Sequence, residues 1–556
     1  MADDYYFTAA PEFEKALGDN FTHCKGNGSC NYLITNTRDV AAEIYAHEIN
    51  FYLNNSQDSF PDKIECIKKL YDCRVLEYSL AQDIEQQKPI GTRILLVTTE
   101  RESDIERKLK LHGYSVTVID PSKITGMTGT SENFSVSLAG EDIPGKIEVD
   151  RIIWFDLPKE LLGVHGIHDP LIFGRKKTID RFCAKPGFIT YKKEIGHETS
   201  LCSYQGKGSG ACGRCTSVCP TRAISEKSDS RQLKVFHPHC TGCGTCAGIC
   251  PTGAMEYLKM SASTFERICA YYTGRTPLII PERLDLDNAH IPLPADVLPL
   301  SVANENFLDE SHLLSLFLTS GKPIVLFSDT PSSRLWEIQN FLNEIFERKF
   351  KKHTFFICET AHELGKTLAE LPSIHMESYS FEGGYRHKRH ILSRRLAHVV
   401  GNDDLGTIAT PPMLSFGNIT VDQDKCTLCL ACIDACLPGA LSAHSEDNTL
   451  RFTPSLCTAC KRCLHTCPEK GCLHITEGIL SLHPRSFRDN VVAQDELMEC
   501  VECKRRFAPK KSIEKIAGIM KPIFAEDPVK TKTLYCCQNC KARIMIESQI
   551  ADNLHP

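Results

Sequence analysis

The chain is 556 residues long, enough for three to four domains at roughly 150 residues each. Its composition, 42% hydrophobic and 24% charged, is that of a folded globular protein, and a net charge of −6 argues against holding nucleic acid through bulk positive charge. No apolar run reaches the roughly 18 residues of a membrane span, the acidic opening MADDYY predicts no export signal, and 29 cysteines in such a chain point to metal before disulfides.

Residues 1–170 read as an N-terminal helical and α/β domain. Helical character at 41–54 and 62–72 precedes a strand at 92–98 (TRILLVT), a helix at 101–112, and strands at 114–119 (YSVTVI) and 151–156 (RIIWFD). Residues 195–260 hold the first dense group of cysteines. Over 261–410 the alternation returns, with a strand at 323–328 (PIVLFS), a helix at 332–348, a strand at 354–358 (TFFIC) and a helix at 361–371. Neither α/β stretch carries a nucleotide fingerprint: GKGSGA at 206–211 is not G-x-G-x-x-G, and no Walker A sequence occurs. Both are read as docking or spacing scaffolds. The basic run Tyr385 to Arg395, with Arg386, Lys388, Arg389, Arg394 and Arg395, is read first as a solvated helix face and second as a dock for an acidic redox partner. Residues 415–480 hold the second group of cysteines, and 490–556 end in two further cysteine pairs. The basic residues there, Lys504, Arg505, Arg506, Lys510 and Lys511, are not expected to bind nucleic acid in a chain that is acidic overall.

Spacing sorts the cysteines. Cys426, Cys429, Cys432 and Cys436 read C-x2-C-x2-C-x3-C; Cys457, Cys460, Cys463 and Cys467 repeat it, and so do Cys240, Cys243, Cys246 and Cys250. This is the bacterial ferredoxin pattern, in which three thiolates from one loop hold a cluster and the fourth cysteine serves the other cluster of the pair. Adding 217 to Cys212, Cys215, Cys219, Cys240, Cys243, Cys246 and Cys250 lands on seven cysteines of the second group, so one design occurs twice. The register fails once, at Ser209, where the second copy has Cys426. Cys202, reaching back along the pliable loop QGKGSG, is the replacement expected; Cys183 is the more distant alternative. The crossover rule then assigns Cys202, Cys212, Cys215 and Cys250 to the first cluster and Cys240, Cys243, Cys246 and Cys219 to the second. It assigns Cys426, Cys429, Cys432 and Cys467 to the third and Cys457, Cys460, Cys463 and Cys436 to the fourth. In the second copy Leu437 follows the cysteine where proline is usual, and Pro438 comes one later. His237 and His239, just before Cys240, are read as tuning hydrogen bonds or facing solvent.

At the C-terminus Cys500-x2-Cys503 and Cys537-x2-Cys540 are two knuckles separated by 33 residues, the ligand set of a structural zinc ribbon. The apolar string RIMIES after the second knuckle is expected to be a ribbon strand. Cys536 is a competing ligand, and a redox dithiol or rubredoxin-like iron are the other readings. Cys24, Cys30, Cys66, Cys73, Cys269, Cys358 and Cys472 have no cluster spacing and are read as buried reduced thiols. The expected fold is α/β plus α+β and multidomain: two bacterial-type two-cluster ferredoxin modules, each preceded by a small α/β domain, and a C-terminal zinc-ribbon-like segment.

The strings CSYQGKGSGACGRCTSVCP, CTGCGTCAGICPTGA, CTLCLACIDAC and LRFTPSLCTACKRCLHTCPEK, with CVECKRRF and CQNC near the end, resemble the large multi-cluster ferredoxins found beside bacterial formate dehydrogenase. The likeness covers roughly 170–545. It implies a cytoplasmic iron–sulfur protein with four 4Fe-4S clusters and one zinc, passing electrons to redox partner proteins, formate dehydrogenase among them. The alternatives are an assembly factor or a non-catalytic redox subunit of an oxidoreductase complex. No paired carboxylates or Ser/His/Asp set stands out, so no catalytic residue is expected.

Overall fold

The computed structural model describes residues 5–18, 21–22, 32–40, 42–100, 102–130, 133–139, 145–158, 161, 166–184, 186–204, 212–227, 231–286, 289–374, 376, 379, 387–444 and 446–554. Cys24, Cys30, Ser209 with the rest of QGKGSG, Tyr385 and Arg386 lie outside them.

The main core joins distant parts of the chain. Near the N-terminus the strands Phe21–Thr22, Tyr5–Tyr6, Tyr32–Thr35 and Ala42–Tyr45 lie parallel in that order. The first residues of the stretch expected to be helical at 41–54 thus form an edge strand, and its helix is His47–Asn55. Helix Phe60–Leu80 begins where the Ser59 hydroxyl accepts the Asp62 N–H, with proline in its first turn. Tyr71 of this helix packs its ring on Tyr5, Phe7 and Phe21. The strands Val297–Val302, Thr276–Pro281, Ile324–Phe327 and Phe355–Cys358 make a second parallel sheet, in that order. Its first two strands are buried at every residue, as strands covered on both faces must be. Arg74 locks the N-terminal helix to this sheet, reaching Glu48 at 2.8 Å, Glu77 at 3.0 Å, Glu282 at 2.7 Å and the Ser301 hydroxyl at 3.0 Å.

A further unit stands on a stalk. The strands Ile84–Pro89 and Phe188–Lys193 run antiparallel, so the chain leaves the main core and returns to it along one ribbon. Between them the parallel sheet Ile167–His168, Arg151–Trp154, Arg93–Val97, Ser115–Ile119 carries the expected strand–helix–strand unit, with helix Ser103–Leu111. An antiparallel meander, Ile124–Thr130, Asn133–Leu138 and Lys146–Val149, is added to it. This unit buries its own two clusters of side chains, around Leu95 and Trp154 on one face and around Leu96 and Phe182 on the other.

The two cysteine modules share one plan. In the first, Ile195–His197 pairs with Met255–Tyr257, and Ile224–Lys227 with Gln232–Val235. In the second, Gly417–Val421 pairs with Leu473–Glu477, and Leu441–His444 with Thr449–Phe452. Of the two readings for these histidines, the solvent-facing one fails for His239, which is buried against Phe236, while His237 is half-buried and stacks on Tyr191.

Helix Lys388–Val400 corrects a second expectation. Its Arg389 and Arg395 are among the most completely buried side chains of the protein, and Arg394 is the exposed one. The cations sit on the same helical stripe as Leu392, Leu396 and Val399, so this helix is interior despite its charge.

The last segment is not a ribbon. Strands Leu497–Glu499 and Arg506–Pro509 form a hairpin around the first knuckle, but helices Lys510–Met520, Pro528–Thr533 and Gln538–Leu554 follow. RIMIES lies within the last helix, where the good helix formers Lys541, Ala542, Arg543, Met545 and Glu547 outweigh its two isoleucines. The basic residues here make local bonds: Lys511 to the Gln423 carbonyl at 2.6 Å and Lys515 to Glu469 at 2.5 Å. Both tie the segment to the second cysteine module.

Candidate metal centres

Each module folds its three-cysteine loops around left-handed residues. Gly213, Gly244, Leu430 and Lys461 take φ of 55°, 74°, 62° and 61° just before the short helices that carry Cys215, Cys246, Cys432 and Cys463. Gly242, Leu428 and Ala459 are also left-handed, at 67°, 49° and 50°. A left-handed non-glycine residue costs about 1–2 kcal/mol. The gain is geometric, because alternating backbone hands turn successive N–H groups toward one point and make a cradle for an anion. The N–H groups of Arg214, Gly242, Leu428 and Ala459 bond the sulfurs of Cys212, Cys240, Cys426 and Cys457, two residues before each. From the far side the Ala223 N–H meets the Cys219 sulfur at 3.2 Å.

The thiols gather across the modules and not only along the sequence. Burial pushes the Cys215 thiol up to about 12, and the sulfurs that add to the shift are Cys250, Cys212 and Cys202. Burial also raises Cys246, whose neighbours are Cys240, Cys243, Cys215 and Cys219. In the second module burial pushes Cys432 up to about 12 beside Cys426, Cys429 and Cys467, and it raises Cys463 beside Cys436, Cys457, Cys460 and Cys432. Each set expected from the crossover rule thus has its sulfurs as electrostatic neighbours of one buried thiol. Cys183 stands elsewhere, its thiol raised by burial and by Asp180 and lowered by Lys108.

The sets also form a series. Cys246 lies within electrostatic range of Cys215, Cys212 of Cys460, and Cys463 of Cys432, so Cys212 and Cys460 are on the facing sides of the two modules. Helix Lys388–Val400 splints this joint. Lys388 donates to the Gly248 and Cys250 carbonyls at 3.0 and 3.1 Å, while His390 meets the Pro438 carbonyl at 2.8 Å and Ser393 the Ser455 hydroxyl at 2.6 Å. Arg389 donates to the Leu414 and Ser415 carbonyls at 2.7 and 3.1 Å and lies 4.1 Å over the Phe416 ring. Arg214 donates to the adjacent Met413 carbonyl at 2.6 Å. Burial pushes the Arg389 guanidinium down to about 10, against the pull of Glu310 and Cys457. Its Nε and Nη1 have no hydrogen-bond partner among the described residues.

At the C-terminus the sulfurs of Cys500, Cys503, Cys537 and Cys540 lie within 4.8 Å of one another, between the hairpin and the start of the last helix. Burial raises Cys500, but the N–H groups of Cys503, Cys537 and Glu502 outweigh it and hold this thiol at about 6. Cys536 is buried beside Cys500 but outside the four-sulfur group, and its thiol meets the Lys532 carbonyl at 3.5 Å. Four sulfurs in this space are the donor set of a closed tetrahedral site.

One thiol at these centres has no signal in the spacing. Cys472, read as a bystander, lines the cavity shared by Cys426, Cys429, Cys432 and Cys467. Cys66, Cys73, Cys269 and Cys358 are buried, as read.

Comparison with known proteins finds a 4Fe-4S dicluster domain twice, at residues 210–255 and 418–468. The chain therefore contains two ferredoxin-type iron–sulfur domains, the hallmark of electron transfer. No curated protein matches the chain.

Proposed function

We propose that the chain is an iron–sulfur electron carrier of the polyferredoxin type, holding four 4Fe-4S clusters in series and serving formate dehydrogenase-linked redox metabolism in the cytoplasm. The observation that carries this reading is the unbroken order of four thiol sets. Cys240, Cys243, Cys246 and Cys219 stand at one end, then Cys202, Cys212, Cys215 and Cys250. Cys457, Cys460, Cys463 and Cys436 follow across the joint, and Cys426, Cys429, Cys432 and Cys467 stand at the other end. The residues fit the group: buried sulfurs gathered in fours, N–H cradles for anionic sulfur, and cations from Arg389 and Arg214 at the joint. When bound, each cluster would take up and release one electron at a potential set by its charge, burial and hydrogen bonds. The side chains keep water out, aim N–H groups at sulfur and fix the spacing between sets. Cys500, Cys503, Cys537 and Cys540 would hold one structural zinc. The formate link rests on the resemblance of the cysteine strings, and the partners are redox proteins that dock near the exposed ends.

Protein purified anaerobically should carry about 16 iron and about 16 labile sulfide per chain, by the ligation rule, with about one zinc. It should accept electrons from dithionite reversibly and pass them to a dye, without oxidising formate alone. A content near 8 iron, with one module empty, would halve the assignment. Anaerobic capture of native partners without a formate dehydrogenase among them would remove the metabolic link and leave the carrier.

A further inference from the structure

In three of the four ligand loops, alanine leads from the last cysteine into the following strand. Ala223, Ala254 and Ala440 precede Ile224–Lys227, Met255–Tyr257 and Leu441–His444, each four residues beyond Cys219, Cys250 or Cys436, and each is buried. A small side chain there lets the strand start against the sulfurs. The fourth loop, Cys467-Pro-Glu-Lys-Gly-Cys472, is one residue longer and turns through Gly471 at φ 68°. Its insertion places Cys472 directly before strand Leu473–Glu477, in the structural position of the three alanines. Cys472 is as buried as they are, at 2% exposed. Its sulfur lies beside those of Cys467 and Cys426 in the same cavity, and the thiol meets the Asp422 carbonyl at 3.8 Å. Where the other sites have a methyl group, this one has a thiol, and five sulfurs line a cavity that needs four.

We propose that Cys472 is a reserve ligand of the site formed by Cys426, Cys429, Cys432 and Cys467, an inference that rests on the cluster reading above. In the exchange an iron–sulfur bond to Cys426 or Cys467 breaks as one to Cys472 forms. The proton of Cys472 passes to the displaced sulfur, and no electron changes hands. The device belongs at this end of the series. Cys429 is exposed, unlike the other cysteines of the four sets, so this site is the most open to oxidative loss of iron.

The test uses the full chain, purified anaerobically, with C426A and C467A each made alone and on a C472A background. Alanine is chosen because a serine oxygen can itself bind iron. C457A is the control, since Ala440 stands beside that site. Iron and sulfide per chain and the EPR spectrum after oxidation are read. At least one of C426A and C467A should keep the wild-type iron count with no three-iron signal, and its double variant should lose the cluster or show that signal, as C457A does alone. Loss in both single variants, or retention that does not depend on Cys472, overturns the proposal. If the wild-type chain never loads this site, the cluster reading itself fails and the inference falls with it.

Discussion

Leu430, Ala459 and Lys461 hold left-handed backbone where the first module has the matching Gly213, Gly242 and Gly244, so the cradle persists at a cost of about 1–2 kcal/mol per residue. At this scale the grouping of the thiols was legible, because a cysteine that must reach one point from one loop has little freedom of spacing. Cys202 could be named only because Ser209 broke the register. Cys472 could not be, since one inserted residue moves it out of step with the alanines it replaces, and a lone thiol has no spacing to read. Two substitutions test the crossed sets. Cys219→Ser should damage the site of Cys240, Cys243 and Cys246, seen as loss of its EPR signal with the Cys212 site intact; the reverse pattern sinks the pairing. Cys202→Ala should yield a three-iron signal after oxidation, and Cys183→Ala should leave the wild-type spectrum. If Cys183→Ala alone loses a cluster, Cys183 is the ligand.

Among elements, the C-terminal helices show where periodicity misleads. RIMIES alternates like a strand, yet it has no partner strand, and its neighbours favour helix. The same conflict hid the splint: five cations in eleven residues read as solvated, whereas the helix period sets Arg389 and Arg395 on the buried stripe. The strands Thr276–Pro281 and Val297–Val302 escaped notice because their prolines argue against a central strand. The buried cluster of the C-terminal segment is made of Cys500, Cys536, Cys537 and Cys540, with Phe507 and Ile544 packed on it, and few other apolar side chains of this segment are buried among the described residues. Metal is therefore expected to supply its folding energy. Cys503→Ser should remove zinc and open residues 497–554 to protease while the cubane spectra stay unchanged; unchanged zinc and resistance would favour a dithiol. The Lys388 end of the splint depends on Asp309, fully buried, 2.9 Å from Lys388 and capping helix Glu310–Ser320. Burial raises its carboxyl, but His312 and Lys388 outweigh it and hold it well below the usual range. A depressed carboxyl contributes stability that is fully present above about pH 4 and lost as pH falls through its folded value. Asp309→Asn should cost about 3 kcal/mol or less at neutral pH, because Lys388 loses its nearer carboxylate but keeps Glu310 at 3.8 Å, read as a lower denaturant midpoint. It should also remove part of the acid-induced loss; an unchanged midpoint would show that the pair is not stabilising.

The whole molecule is arranged so that the two dicluster modules meet at a charged joint, with the stalked unit and the N-terminal sheet set around it. The α/β segments were legible as scaffolds, but their placement was not, because Arg74, Asn55 and the splint make contacts across more than a hundred residues that no local pattern records. Arg389 is the sharpest case. Replacing it by Met removes a buried cation that has no carboxylate in contact among the described residues, but also its bonds to the Leu414 and Ser415 carbonyls, so the change should cost the cluster-free chain less stability than the loaded chain, measured by denaturation of both. In loaded protein the same change should lower the potential of the site at Cys457, seen by titration followed by EPR, and Arg389→Lys should restore most of it. An unchanged potential would place Arg389 in a purely structural role. The difference has a consequence for biogenesis if clusters bind as proposed: in an empty chain only Glu310 and neighbouring thiols pull on Arg389, so water should compete for it, and limited proteolysis should cut the joint of the empty chain faster than that of the loaded one.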